Sequence, residues 1–164
     1  MADARLKAYG IAAAVLALDR LTKWLVEQRV SFADTYRVIP GFFDIVHSQN
    51  RGVAFGILND SSLEWRTMGL ILLTAAAIVL VSVVLWNARR LDQLSLWGLA
   101  LILGGAAGNE FDRITSGQVT DFLEFYLGSY YWPTFNVADS ALVIGSGLFL
   151  LEMLRGKRHA TNVP

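Results

Sequence analysis

Met68 to Trp86 is a run of nineteen residues without one charged side chain. Wound as an α-helix it is about 28 Å long, close to the ~30 Å hydrocarbon core of a bilayer. A buried helix of a soluble protein can be apolar, but it seldom stays apolar on every side for that length. The run therefore reads as a membrane span. Composition points the same way: hydrophobic residues make up 54% of the 164-residue chain and charged residues 17%, where soluble domains carry ~25% charge. The length suits one integral-membrane domain over 1–164.

Three weaker runs follow the same logic. Spans are expected at about 8–26, 68–86, 94–111 and 137–154, joined on one side by two longer connections, 27–67 and 112–136. The first run is interrupted by Asp19, Arg20 and Lys23. The third ends in Asn109, Glu110, Asp112 and Arg113, and the fourth carries Asp139 near its start. Such residues must lie at span edges or face a protein interior. Cations set the orientation. Arg5 and Lys7 precede the first span, Arg89 and Arg90 fill the short second connection, and Arg155, Lys157 and Arg158 follow the fourth. The positive-inside rule then puts both termini in the cytoplasm and both long connections outside. Arg5 and Lys7 before an apolar run would also suit a signal peptide, but no small-residue cleavage site follows, so an uncleaved first helix is expected. Asn59-Asp60-Ser61 fits a glycosylation sequon, a pattern too short to carry weight.

The long connections have their own content. Tyr36–Ile39, then Pro40-Gly41, then Phe42–Val46 predict two short strands about a turn. In the second, Phe122, Phe125, Tyr126, Tyr130, Tyr131, Trp132 and Phe135 read as an aromatic belt at headgroup level.

Chemistry is bounded by what is missing. No cysteine means no thiolate, no disulfide and no Cys-ligated metal, and two histidines, His47 and His159, do not make a multi-histidine metal site. Fourteen basic and fourteen acidic residues cancel, so no basic field argues for nucleic acid. Carboxylates, amides and arginine remain. Asn109, Asp112 and Arg113 share a helix face, which in the bland reading is a polar cluster closing the helix end. Asp19 and Lys23, four apart, suit a salt bridge inside the bundle. With the third span running outward and the fourth inward, Asp112, Asp121 and Asp139 converge on the outer membrane boundary. Two carboxylates sharing a proton can activate water for amide or ester hydrolysis. Spacing leaves open which two form the pair.

Five ordered blocks carry a resemblance. They are Asp19-Arg20-Leu21-Thr22-Lys23, Gln49-Asn50-Arg51-Gly52-Val53-Ala54-Phe55-Gly56, Gly104-Gly105-Ala106-Ala107-Gly108-Asn109-Glu110-Phe111-Asp112-Arg113, Val119-Thr120-Asp121-Phe122 and Phe135-Asn136-Val137-Ala138-Asp139-Ser140. Together they resemble the signature blocks of the lipoprotein signal peptidases, the signal peptidase II family, over essentially the whole chain. The resemblance implies an all-α membrane protein of four transmembrane helices with a small extracytoplasmic β-cradle from the first outer loop. It implies an aspartyl endopeptidase that removes the signal peptide from diacylglyceryl-modified prolipoproteins, cutting just before the lipidated cysteine. Its catalytic aspartates fall on Asp121 and Asp139, with Asp112 in support. Asn50, Gly52, Asn109, Arg113 and Asn136 match groove positions, and Asp19 and Lys23 match an accompanying pair. No cofactor or metal is expected. The expected partners are the lipidated precursor and membrane lipid, around a monomer in the bacterial cytoplasmic (inner) membrane with its active site near the outer face. Glu110 departs from the pattern, charged where an apolar or neutral residue is expected, and belongs at headgroup level.

The residues support those placements independently. The Gly104–Gly108 run lets helices approach closely, and Gly52 suits a tight turn beside Asn50. Asn136 is a good N-cap, which puts Asp139 at the third helical position near unpaired N–H groups and the positive dipole end. Asp139 is then the expected ionised partner and Asp121, among rings, the protonated one. Two other classes compete. Membrane carboxylates also mark ion-coupled carriers, which usually have more helices and internal repeats. Asp112, Asp121 and Asp139 could instead hold magnesium in a lipid transferase, which chelators would inhibit.

Overall fold

The computed structural model describes residues 2–52, 64–87 and 91–160. Its elements run α1 (Ala2–Arg29), β1 (Thr35–Ile39), β2 (Phe43–Asn50), α2 (Glu64–Trp86), α3 (Gln93–Ser116), β3 (Val119–Leu127), β4 (Tyr130–Tyr131) and α4 (Val137–Ala160). The protein is mostly helical with one small antiparallel sheet. Val53–Gly56 of the second signature block, the sequon at Asn59 and the Arg89-Arg90 pair lie outside the described residues.

The third helix is the hub, packed against each of the other three. Asp92 caps its start, accepting from the Ser95 N–H at 2.8 Å, and Gly117 ends it at φ 74° with its N–H on the Arg113 carbonyl. Only glycine adopts that left-handed turn freely. The helix runs to Ser116 and so includes Asp112 and Arg113.

Small residues set how close the neighbours come. A Cβ on Gly105 would run into the Ala138 carbonyl oxygen, and one on Gly108 would sit 2.6 Å from Asp19 Oδ2. Away from this seam, Ala8, Ala12, Leu85, Leu96, Leu99, Ala100 and Leu103 form the apolar core.

Among the described residues, two helices are long and apolar enough to cross a membrane by length and composition, α2 over Thr67–Trp86 and α4 over Val137–Arg155. Leu72, Leu73, Val79 and Leu80 of α2 are more than 60% exposed, an apolar exterior that water would not tolerate. The first and third helices fail the same test of apolarity because they carry charge. Those charges point inward: Asp19 and Lys23 are 0% exposed. Glu110 is also turned into the fold instead of out toward a surface.

The hairpin forms as the sequence predicts, with β1 and β2 turning at Pro40-Gly41, where Gly41 has φ 81°. The sheet, however, has the order β1-β2-β3-β4, so the second long connection supplies half of it. This corrects the expectation of a cradle from the first loop alone. A two-stranded ribbon is marginal by itself, and β3 satisfies the free edge of β2, from Phe43 opposite Phe125 to Asn50 opposite Val119. The aromatic belt is corrected in part for the same reason. Phe125 stacks between Phe43 and Phe135 at 4.7 and 5.8 Å, and Phe122 is buried with Val26 and Val30. Tyr130, Tyr131 and Trp132 remain exposed.

Candidate active site

A groove of about 890 Å³ lies between the sheet and the ends of α2, α3 and α4, and Asn50, Asn109, Arg113, Asp121 and Asp139 line it. Asp121 reaches it from β3, where the side chain is 2% exposed. Asp139 reaches it from the first turn of α4.

Asn136 joins the two. Its side-chain oxygen accepts from the Asp139 N–H at 2.9 Å, and its own N–H donates back to Asp139 Oδ2 at 3.2 Å. This reciprocal pair is a capping box, which fixes both the helix start and the Asp139 carboxylate. The Asn136 amide nitrogen donates to Asp121 Oδ1 at 2.7 Å. One residue therefore holds a carboxylate at each end.

The asparagines deliver N–H groups, and the reason lies in what binds their oxygens. Lys23 Nζ donates to Asn109 Oδ1 at 3.0 Å; an ammonium has no acceptor, so the Asn109 nitrogen must face the other way, onto Asp139 Oδ1 at 2.7 Å. The Gly52 N–H likewise takes Asn50 Oδ1 at 3.0 Å, which turns the Asn50 nitrogen to Asp121 Oδ2 at 3.2 Å. Burial, and then the neighbouring Asp139 charge, push Asp121 up to about 6, against the pull of the Asn50 and Asn136 amides and Lys23.

Behind this pair sits a charged cluster. Lys23 Nζ lies 2.8 Å from Asp19 Oδ2 and 2.7 Å from Asp112 Oδ2, and Arg20 also pairs with Asp112. Asp19 Oδ1 accepts from the Ala138 N–H at 2.9 Å, tying α1 to the start of α4. The Asp19–Lys23 bridge is as the spacing predicts. The Asp112–Arg113 cluster is not: adjacent helical residues point ~100° apart, so Asp112 turns to α1 while Arg113 turns to the groove. Asp112 is thus committed to two cations and does not join Asp121 and Asp139.

A family model for signal peptidase II matches residues 11–155. The chain belongs to the signal peptidase II family. A lipoprotein signal peptidase of Solibacter usitatus is 66% identical over 163 residues, covering 99% of each chain. One from Nitratidesulfovibrio vulgaris is 44% identical over 146 residues, 89% of this chain and 88% of that one. A solved bacterial membrane enzyme superposes with a TM-score of 0.84 at 26% identity, covering 96% of this chain and 93% of its own. This member of the signal peptidase II family is a peptidase of lipoprotein processing and a bacterial membrane protein.

Spacing in the sequence does not reveal every residue around these carboxylates. Arg20 lies in the first signature block, yet nothing there points to Asp112, 92 positions away. Thr120 donates to Glu27 Oε1 at 2.8 Å, and its carbonyl accepts from Asn136. Leu73 and Ala77 of α2 face Leu142 and Val143 of α4 as apolar groove walls. Only the third dimension brings these together.

Proposed function

We propose that this peptidase hydrolyses the signal peptide from diacylglyceryl-modified prolipoproteins just before the lipidated cysteine, with Asp121 and Asp139 as a water-activating dyad. The observation that carries the reading is the shared groove in which Asp121, pushed up to about 6 by burial and by Asp139, faces a partner steadied at a helix start. Such a pair holds one proton between two carboxylates up to a pH of about 6.

Asp139 is the base and Asp121 carries the proton. Water bound between them gives a proton to Asp139 as its oxygen attacks the scissile carbonyl carbon. Asp121 donates its proton to the carbonyl oxygen, forming a neutral tetrahedral diol. Asp121 takes a proton back from one diol hydroxyl while Asp139 protonates the leaving nitrogen. The C–N bond breaks, and the dyad returns to its starting protonation. Asn109, Asn136 and Asn50 hold the carboxylates through these exchanges. Arg113 places the substrate backbone and takes no proton. The apolar walls from α2 and α4 suit the signal peptide and the acyl chains of the lipidated cysteine.

The same reading places all four helices across the cytoplasmic (inner) membrane as one integral domain, with both termini inside and the groove near the outer face. The inward-facing charges of α1 and α3 make that compatible with bilayer burial. The protein acts as a monomer on precursor delivered within the membrane. Purified protein is incubated with a lipidated and a non-lipidated precursor peptide. Cleavage of the first alone, at the bond before the cysteine, is expected; equal cleavage of both, or of neither, overturns the reading.

A further inference from the structure

Glu110 is 6% exposed, and among the described residues both of its carboxyl oxygens are out of solvent with no hydrogen-bond partner. Its place on α3 explains the burial. Leu96, Leu99 and Leu103 form one stripe of that helix and pack with Leu85, Ile78 and Val81 of α2. Glu110, seven positions beyond Leu103, continues the stripe by two turns. A carboxyl thus occupies a position whose pattern asks for a leucine.

Arg113 is three positions further and so a neighbour on the helix surface. It lines the groove, and its charge acts on Glu110. Among the described residues the Arg113 side chain makes no ion pair or hydrogen bond. The other acidic group beside it in sequence, Asp112, is held by Arg20 and Lys23. An unpartnered carboxyl and an unpartnered guanidinium therefore stand one turn apart, the first inside the wall and the second on its groove side.

We propose that Glu110 is a positioning residue for Arg113, the anchor onto which the guanidinium is drawn when substrate fills the groove. The inference rests on the proposed reading of that groove as the substrate site. An arriving peptide displaces water, and attraction between the two charges rises as the local dielectric falls. A guanidinium has five donors in a rigid fork, so one edge can engage Glu110 while the remaining N–H groups meet substrate carbonyl oxygens. Glu110 itself touches neither substrate nor the dyad. Its work is to hold a long flexible side chain in the geometry that binds.

The test is steady-state cleavage of a lipidated precursor peptide by the full-length protein in lipid nanodiscs. Glu110→Gln is expected to raise KM roughly three- to tenfold with kcat within about twofold of the parent, the mark of lost binding without lost chemistry. Glu110→Asp, which keeps the charge, recovers part of the KM. In an Arg113→Lys background, Glu110→Gln adds less than about twofold, because the two residues act as a unit. Glu110→Met, which keeps the bulk without polar atoms, gives the same KM rise as Glu110→Gln. Both variants fold with a thermal midpoint at or above the parental one, since a buried carboxyl without a partner is removed. A parental KM in Glu110→Gln, or its full effect in the Arg113→Lys background, overturns the proposal. So does loss of folding in both Glu110→Gln and Glu110→Met, which would make the residue structural. A parent that cleaves with a KM indifferent to Glu110 defeats this inference alone; a parent that does not cleave defeats the proposed function with it.

Discussion

Two pairs of carboxylates sit back to back in this protein, and they are treated in opposite ways. Asp19 and Asp112 meet cations: Lys23 lies between them and Arg20 adds a second positive charge. Asp121 and Asp139 meet neutral amides from Asn50, Asn109 and Asn136. Two acids and two cations face one another in the first region. In the second, amide N–H groups orient the carboxylates without cancelling their charge, so the Asp139 charge still acts on Asp121. Asn109 joins the regions, taking Lys23 on its oxygen and giving its nitrogen to Asp139. The contrast is between buried acids whose partners carry charge and buried acids held chiefly by neutral amides.

The contrast breaks hardest in the dyad. Asp121→Asn and Asp139→Asn are each expected to lower cleavage of the lipidated peptide by about 10³-fold or more while the protein still folds and inserts. Appreciable turnover by either, at equal folded protein, would show that the pair is not the reactive one. In the first region the loss should appear as stability. Lys23→Met leaves two buried carboxylates short of a cation, and about 3–5 kcal/mol of destabilisation is expected, read from thermal or denaturant unfolding. An unchanged midpoint would mean that the cluster holds nothing together.

Titration sharpens the same division. Because Asp121 must hold its proton, kcat/KM is expected to fall about tenfold per pH unit on the alkaline side of about 6. Raised in the folded state, Asp121 contributes stability that is full below pH ~4 and lost as the pH rises through about 6. Asp121→Asn should abolish that slope. In Asp139→Asn the like charge is gone, and carboxylate infrared bands should show Asp121 ionising at lower pH than in the parent. If Asp139 alone titrates clearly above Asp121 alone, base and acid exchange roles. The smallest effect is expected from Arg113→Lys, which keeps charge but loses the planar fork; a several-fold rise in KM would register it. A variant matching its parent in both kcat and KM would reduce Arg113 to a helix-end charge.

Local chemistry made much of this legible from sequence. The uncharged run of α2 marks itself, Pro40-Gly41 marks its hairpin, and Asn136 three residues before Asp139 spells a helix start. Asp19 and Lys23 are visible as a pair because one turn of helix separates them. What stayed hidden depends on partners far along the chain. A strand joining β2 from the second connection looks, in sequence, like any aromatic membrane-edge segment. Arg20 could not be matched to Asp112 before the helices were laid side by side. Glu110 is different again: its charge argues for the headgroup level, and the leucine stripe behind it for a place inside the fold.

The close seam at Gly108 has a consequence for how the chain can change. A methyl there would press on the Asp19 carboxylate, 2.6 Å from it. Asp19 holds the Ala138 N–H, one residue before Asp139. A change of three atoms in a packing residue would thus travel through one hydrogen bond to the spacing of Asp121 and Asp139. In this molecule the room for drift at some positions that never meet substrate is set by the tolerance of the chemistry.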